Sequence, residues 1–206
     1  ASLMVFWFVI RTVKYDLIKN PYTDHWIWYL HYIPLIILPL YVLLVSRSVC
    51  CAEDFQIPKR LKYLYIPAVI LIILVFTNDL HNLVFILPAD RPPMTVNSGY
   101  SYGIVAYIIV AWRILCYAAA LFFVFTKNRM SSKRQRILLP IGIILLLGTY
   151  LLLYSLNVPA VTFYFGDMPS AYIICLILFV ESLLGLGLIQ GNSHYVELFR
   201  HAGLTT

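Results

Sequence analysis

Charge is what this sequence has least of. Only 12% of its 206 residues are Asp, Glu, Lys or Arg, and the acids number nine. Soluble domains carry about 25% charged residues, so this chain lacks the polar surface that keeps a folded domain in water. The same figures exclude intrinsic disorder, which needs low hydrophobicity and high net charge. Cysteine is scarce too, four residues in all, which excludes a disulfide-stapled secreted module. No Gly-rich phosphate loop, no His-Glu-x-x-His and no Gly-x-Ser-x-Gly occurs. Those absences remove the common routes to nucleotide, zinc-protease and serine-hydrolase chemistry. No cleavable signal peptide is legible either: Ala1–Ile10 is apolar but has no basic leader, and Arg11 follows it.

What is abundant is apolar and aromatic. Hydrophobic residues make up 62% of the chain and aromatics 16%, with sixteen tyrosines, and the mean hydropathy is +0.85. The expected fold is all-α, a polytopic membrane helix bundle. A span needs about 20 mostly apolar residues. Five stretches meet that need: His25–Ser46, Leu61–Thr77 with a continuation to Leu87, Tyr100–Thr126, Ile137–Leu156 and Ser170–Gln190. Leu3–Val13 is too short to cross alone and reads as a truncated N-terminal span whose beginning lies upstream. Pro34 and Pro39 fall inside the first of the five, where kinks are expected rather than a break. Residues 1–190 form the expected bundle, and 191–206 a juxtamembrane linker.

Lys and Arg set the orientation of such a chain. One loop carries Arg47, Lys59, Arg60 and Lys62, and another Lys127, Arg129, Lys133, Arg134 and Arg136. Both are expected in the cytoplasm, and the tail from Gly191 then lies inside as well. The net charge of +6 is thereby explained by topology, with no nucleic-acid partner. Asp79–Gly99 and Asn157–Pro169 fall outside with only Arg91 between them. Arg11, Lys14 and Lys19 land outside too, against the rule.

Polar groups inside a bilayer cost several kcal/mol unless paired or wet. Arg113 and Glu181 each lie near the middle of a span, so an intramembrane ion pair is the simplest expectation. It reads as a clip fixing two helices or as a two-state element reporting movement to the tail; the third reading is a lone, unpaired Glu181 acting as a proton carrier. A second cluster, Thr77-Asn78-Asp79-Leu80-His81-Asn82, follows an unbroken apolar run. Asn78, His81 and Asn82 have i, i+3, i+4 spacing and would share one helix face. Tyr100, Tyr102 and Asp167 approach from the same side, and convergent polar groups with aromatic walls are what a small-molecule site requires. The plain alternative is a solvated interfacial helix end. His25, His31, Asp79, His81 and Asp167 have no recognised metal-ligand spacing, so no metal and no cofactor is expected. Cys50 and Cys51 read as free thiols or acylation sites, and Cys116 and Cys175 as packing residues.

Thr77-Asn78-Asp79-Leu80-His81-Asn82-Leu83-Val84-Phe85, then Tyr100-Ser101-Tyr102-Gly103, then Leu188-Ile189-Gln190-Gly191-Asn192-Ser193 with Tyr195 and Glu197-Leu198-Phe199 form an ordered set. Together with Trp28-Tyr29-Leu30 through Pro34 and Arg11–Tyr15, that set resembles the N-terminal seven-transmembrane region of bacterial sensor histidine kinases, over nearly the whole chain. The resemblance implies a non-catalytic receiving module in the bacterial inner membrane. Its seventh span would lead through a short cytoplasmic linker to a kinase core that this chain does not contain, and its parent would act as a homodimer. It supplies no ligand. The expected partners are therefore the lipid bilayer and a small ligand or membrane-state signal. A small solute transporter, with Arg113 and Glu181 on its path, and a membrane scaffold subunit are the competing classes.

Overall fold

The computed structural model describes residues 2–14, 21–48, 59–86, 100–128, 138–156, 158–164 and 166–186. Cys50, Cys51, most of the two basic loops and the whole linker 191–206 lie outside the described residues. Almost everything described is helical. In chain order the elements are α1 Ser2–Thr12, α2 Pro21–Leu30, α3 Tyr32–Ser48, α4 Lys59–Lys62, α5 Tyr65–Phe76 and α6 Asn78–His81. A two-stranded hairpin follows, β1 Phe85–Ile86 and β2 Ser101–Tyr102. Then come α7 Ile104–Asn128, α8 Leu138–Ser155, α9 Pro159–Tyr164 and α10 Met168–Gly185.

Four helical segments are long and apolar enough to cross a membrane: His25–Ser48, Ile104–Thr126, Leu138–Ser155 and Met168–Gly185. At about 1.5 Å per residue they reach roughly 27–36 Å, against a hydrocarbon core of about 30 Å. The expected span at Leu61–Thr77 is instead a series of pieces, of which the apolar α5 has 12 residues. Its anticipated continuation is a single helical turn, α6, after which the chain turns at Asn82 and enters β1. Helix α1, at 11 residues, is as short as the sequence suggests.

Proline explains two of the interruptions. A proline has no N–H for the carbonyl four residues back, and its ring pushes that carbonyl aside. For Pro34 that carbonyl belongs to Leu30, and the helix breaks at His31, between α2 and α3. For Pro67 it belongs to Tyr63, and the break falls at Tyr63–Leu64, between α4 and α5. Helix α3 runs unbroken through Pro39. Trp112 of α7 donates its indole N–H to the Ile36 carbonyl, 3.1 Å away, on the turn that Pro39 opens.

Two apolar cores hold the bundle together. One gathers Trp7, Leu38, Ile144, Leu147, Tyr172 and Leu176 from α1, α3, α8 and α10. The other gathers Tyr29, Ile36, Leu71, Val75, Phe85 and Ile109 from α2, α3, α5, β1 and α7. Helices α3 and α7 contribute to both and form the spine. Outward faces are apolar as well: Ile70, Ile73, Leu115, Leu146 and Leu178 are all exposed. Helices apolar on every side belong in lipid rather than water, and the chain is a multi-pass membrane protein.

Candidate functional site

The site begins where α5 ends. Thr77 bonds its hydroxyl back to the Ile73 carbonyl at 2.8 Å, and a single turn, α6, follows. Asn82 then adopts φ 51, a left-handed conformation that asparagine tolerates better than most residues, and its N–H closes on the Asn78 carbonyl at 2.7 Å. The chain reverses into β1, which pairs antiparallel with β2, Phe85 opposite Tyr102 and Ile86 opposite Ser101. Gly103 lets the two segments touch: a Cβ there would lie 2.1 Å from the Leu83 carbonyl oxygen. The Gly103 N–H donates to Val84 at 2.9 Å and the Val105 N–H to Leu83 at 3.0 Å. The first turn of α7 is thus capped by the hairpin backbone.

Asn78 organises this corner. It is fully buried; its side-chain oxygen accepts the N–H groups of Val84 at 2.9 Å and Phe85 at 3.0 Å. Its amide donates to the Phe85 carbonyl at 3.1 Å and to the Tyr29 hydroxyl at 3.2 Å. Asn78 is therefore a structural hub of the corner, with its oxygen and its amide both engaged within it. His81 is similarly inward-looking. Its Nδ1 accepts the Leu83 N–H at 3.0 Å; in the neutral tautomer this leaves Nε2–H to donate to the Thr77 hydroxyl, 3.2 Å away. The expected common face of Asn78, His81 and Asn82 does not form, because α6 is one turn long and Asn82 lies beyond its end.

Asp79 is different. Its carboxylate accepts the Tyr29 hydroxyl at 2.6 Å and faces His25 Nε2 at 3.1 and 3.0 Å. The Asp79 side chain is 43% exposed, the His25 side chain only 6%. Nδ1 of His25 is buried without a partner. An aromatic wall adjoins this triad. Trp28 lies 4.0 Å from Phe85 and 5.3 Å from Tyr100, centroid to centroid, and Tyr100 and Tyr102 meet edge to face at 5.4 Å. Their hydroxyls are 3.4 Å apart. Burial, helped by that contact, pushes the Tyr100 hydroxyl up from its ordinary value, so it stays protonated throughout the neutral range.

Asp167 does not join this group. It forms its own clasp, with Arg11 Nη2 at 2.9 Å from Oδ2 and Nε at 3.3 Å from Oδ1, and it accepts the Ser170 hydroxyl at 2.5 Å. The clasp ties the C-terminal end of α1 to the N-terminal end of α10. It also gives Arg11, one of the basic residues at odds with the charge rule, a local counter-ion.

Arg113 and Glu181 are not paired either. Arg113 lies on the buried stripe of α7 between Ile109 and Tyr117, and its Nε has no hydrogen-bond partner among the described residues. Glu181 is exposed. At 100° per residue it sits opposite Tyr172, on the outer face of α10. Chain position puts each residue well inside its span, but the facing of each helix depends on its neighbours. Among the described residues no group of three or more His, Cys, Asp and Glu could hold a metal ion.

The residues that sequence reasoning missed are His25 and Tyr29 as partners of Asp79. Their spacing of four puts them on one face of α2, and that was the available signal. A family model described as the N-terminal 7TM region of histidine kinase matches residues 2–190. No curated protein and no solved structure matches.

Proposed function

The chain belongs to the family of N-terminal 7TM regions of histidine kinase, and on that premise we propose that it senses an outer-side stimulus through Asp79 and passes it to a cytoplasmic kinase outside this chain. The observation that carries this reading is the half-open carboxylate of Asp79, held by two side chains of another helix. A ligand that competes for Asp79 would release His25 and Tyr29 together. Differential affinity for the two arrangements is what shifts such an equilibrium. Helix α2 continues into α3, and α3 packs along α7, so a displacement of α2 has a packed route into the bundle. Orientation follows from Lys and Arg: residues 59–62 and 127–136 lie inside, the Asp79 end lies outside, and the linker 191–206 is cytoplasmic. The chain acts in the bacterial inner membrane as part of a homodimeric kinase.

The test uses the full-length kinase in vesicles with autophosphorylation as the readout. Asp79→Asn keeps an acceptor for Tyr29 but removes the charge. It is expected to shift basal autophosphorylation several-fold without changing the amount inserted. His81→Ala is expected to act more weakly, through the turn. Unaltered phosphorylation in Asp79→Asn and in Asp79→Ala sinks the reading, as does a native reading frame with no kinase core following.

A further inference from the structure

Between α7 and α8 lies a cavity of about 340 Å³, lined chiefly by Val110, Ile114, Leu121, Ile144 and Leu152. An apolar cavity of about 150 Å³ admits benzene, so this one has room for a longer apolar chain. Several of its walls, Ile114, Leu145 and Leu152, are themselves exposed, and the cavity therefore opens sideways toward lipid. The lining is not wholly apolar: Tyr117, Thr149 and Ser155 bring hydroxyls to it, and one residue brings a charge. That residue is Arg113, 7% exposed and with its Nε buried and, among the described residues, unpartnered. It is the tenth residue of α7, about 14 Å from the start of that helix and so close to mid-bilayer.

Among the described residues no acid on the helices lining or backing the cavity answers that charge. Helices α3, α5, α7 and α8 contain no Asp or Glu, and Glu181 of α10 faces outward. Intramembrane charges almost always pair or face a polar cavity, and a guanidinium presents a planar fork matched to a carboxylate. We propose that this cavity binds a lipophilic monocarboxylate, a single apolar chain that enters from the membrane and places its carboxylate on the Arg113 guanidinium. A phospholipid fits less well, since its headgroup would have to leave the interface to reach Arg113.

Gly148 supplies a clean way to close the site. It lines the cavity, and a Cβ there would meet nothing within 4 Å. The same is true of Gly142, which is not among the lining residues and serves as a control. The 206-residue chain, purified in detergent, is titrated with dodecanoate, 1-dodecanol and phosphatidylglycerol, and bound stoichiometry is read by native mass spectrometry. The expected result is one saturable dodecanoate per chain, at least tenfold tighter than dodecanol. Arg113→Met should erase that preference, Gly148→Leu should weaken dodecanoate at least tenfold, and Gly142→Leu should leave it unchanged. Equal affinity for acid and alcohol in the wild type overturns the assignment. So does Arg113-dependent displacement of dodecanoate by phosphatidylglycerol, which would make the natural anion a lipid phosphate. Should Arg113→Met not fold, the acid-over-alcohol preference and the two glycine variants decide the matter.

Discussion

His25 and Asp79 are 54 positions apart in the chain and meet with Nε2 3.0 Å from Oδ2. This contact joins the first turns of α2 to the single turn α6, and Tyr29 completes it from one turn further along α2. Removing the carboxylate leaves the Tyr29 hydroxyl hydrogen without an acceptor in a fully buried residue. Asp79→Ala is therefore expected to cost about 1–3 kcal/mol, the range for stranding a buried polar group. Asp79→Ala combined with Tyr29→Phe should cost less than the two single changes added together. Thermal unfolding in detergent of the two singles and the double checks this.

Asn78 holds the backbone N–H groups of Val84 and Phe85 and the Phe85 carbonyl. Leucine fits its volume but offers none of those bonds. Asn78→Leu should expose Val84 and Phe85 to hydrogen exchange by at least tenfold while leaving the amides of α8 protected, since each lost partner costs about 1–3 kcal/mol locally. Equal acceleration across the bundle would mean that Asn78 supports the whole fold rather than the hairpin.

Gly103 and Gly142 give opposite expectations for the same substitution. A methyl group at Gly103 would fall 2.1 Å from the Leu83 carbonyl oxygen, and at Gly142 it would meet nothing. Gly103→Ala should destabilise by about 1–3 kcal/mol, as overpacking does. Gly142→Ala, within α8, should be neutral or stabilising by up to about 1 kcal/mol. Paired melting curves distinguish them.

The Arg11–Asp167 clasp is part-exposed on both sides, at 30% and 36%. Solvent screening limits such a pair to about 1 kcal/mol or less. Reversing one charge, Arg11→Glu, should lower the melting temperature slightly and more so in low salt. Adding Asp167→Arg should restore most of the loss. A double variant no better than the single would show that the two residues act through other neighbours.

Much of the fold was legible because lipid imposes one requirement on long segments. His25–Ser46 in the sequence becomes His25–Ser48 in the structure, and Ile137–Leu156 becomes Leu138–Ser155. The stretch from Leu61 to Leu87 misled because apolar composition is indifferent to local breaks. Pro67 breaks the helix at Tyr63–Leu64, Thr77 ends α5 and Asn82 ends α6, and a hydropathy window averages these away. Asp79, Tyr100 and Tyr102 could be singled out as candidates because polar and aromatic residues beside an apolar run stand out. Asp167 lies at the expected end but chooses Arg11, a choice made by how α1 packs on α10. The Arg113–Glu181 expectation failed for a related reason: depth follows from chain position, but rotation about each helix axis follows from packing.

The clasp between Arg11 and Asp167 adds a polar tie at one end of α10, whose later turns are held by the apolar packing of Leu176, Phe179 and Leu183, and a rod tied more firmly at one end is a lever. Helix α10 has 18 residues, an arm of about 27 Å. A tilt of about 10° at the pinned end would sweep the far end through roughly 5 Å, close to the rise of one helical turn. The stronger the grip at Asp167, the more purely any disturbance of α10 is converted into displacement at Gly185, the last residue of the helix.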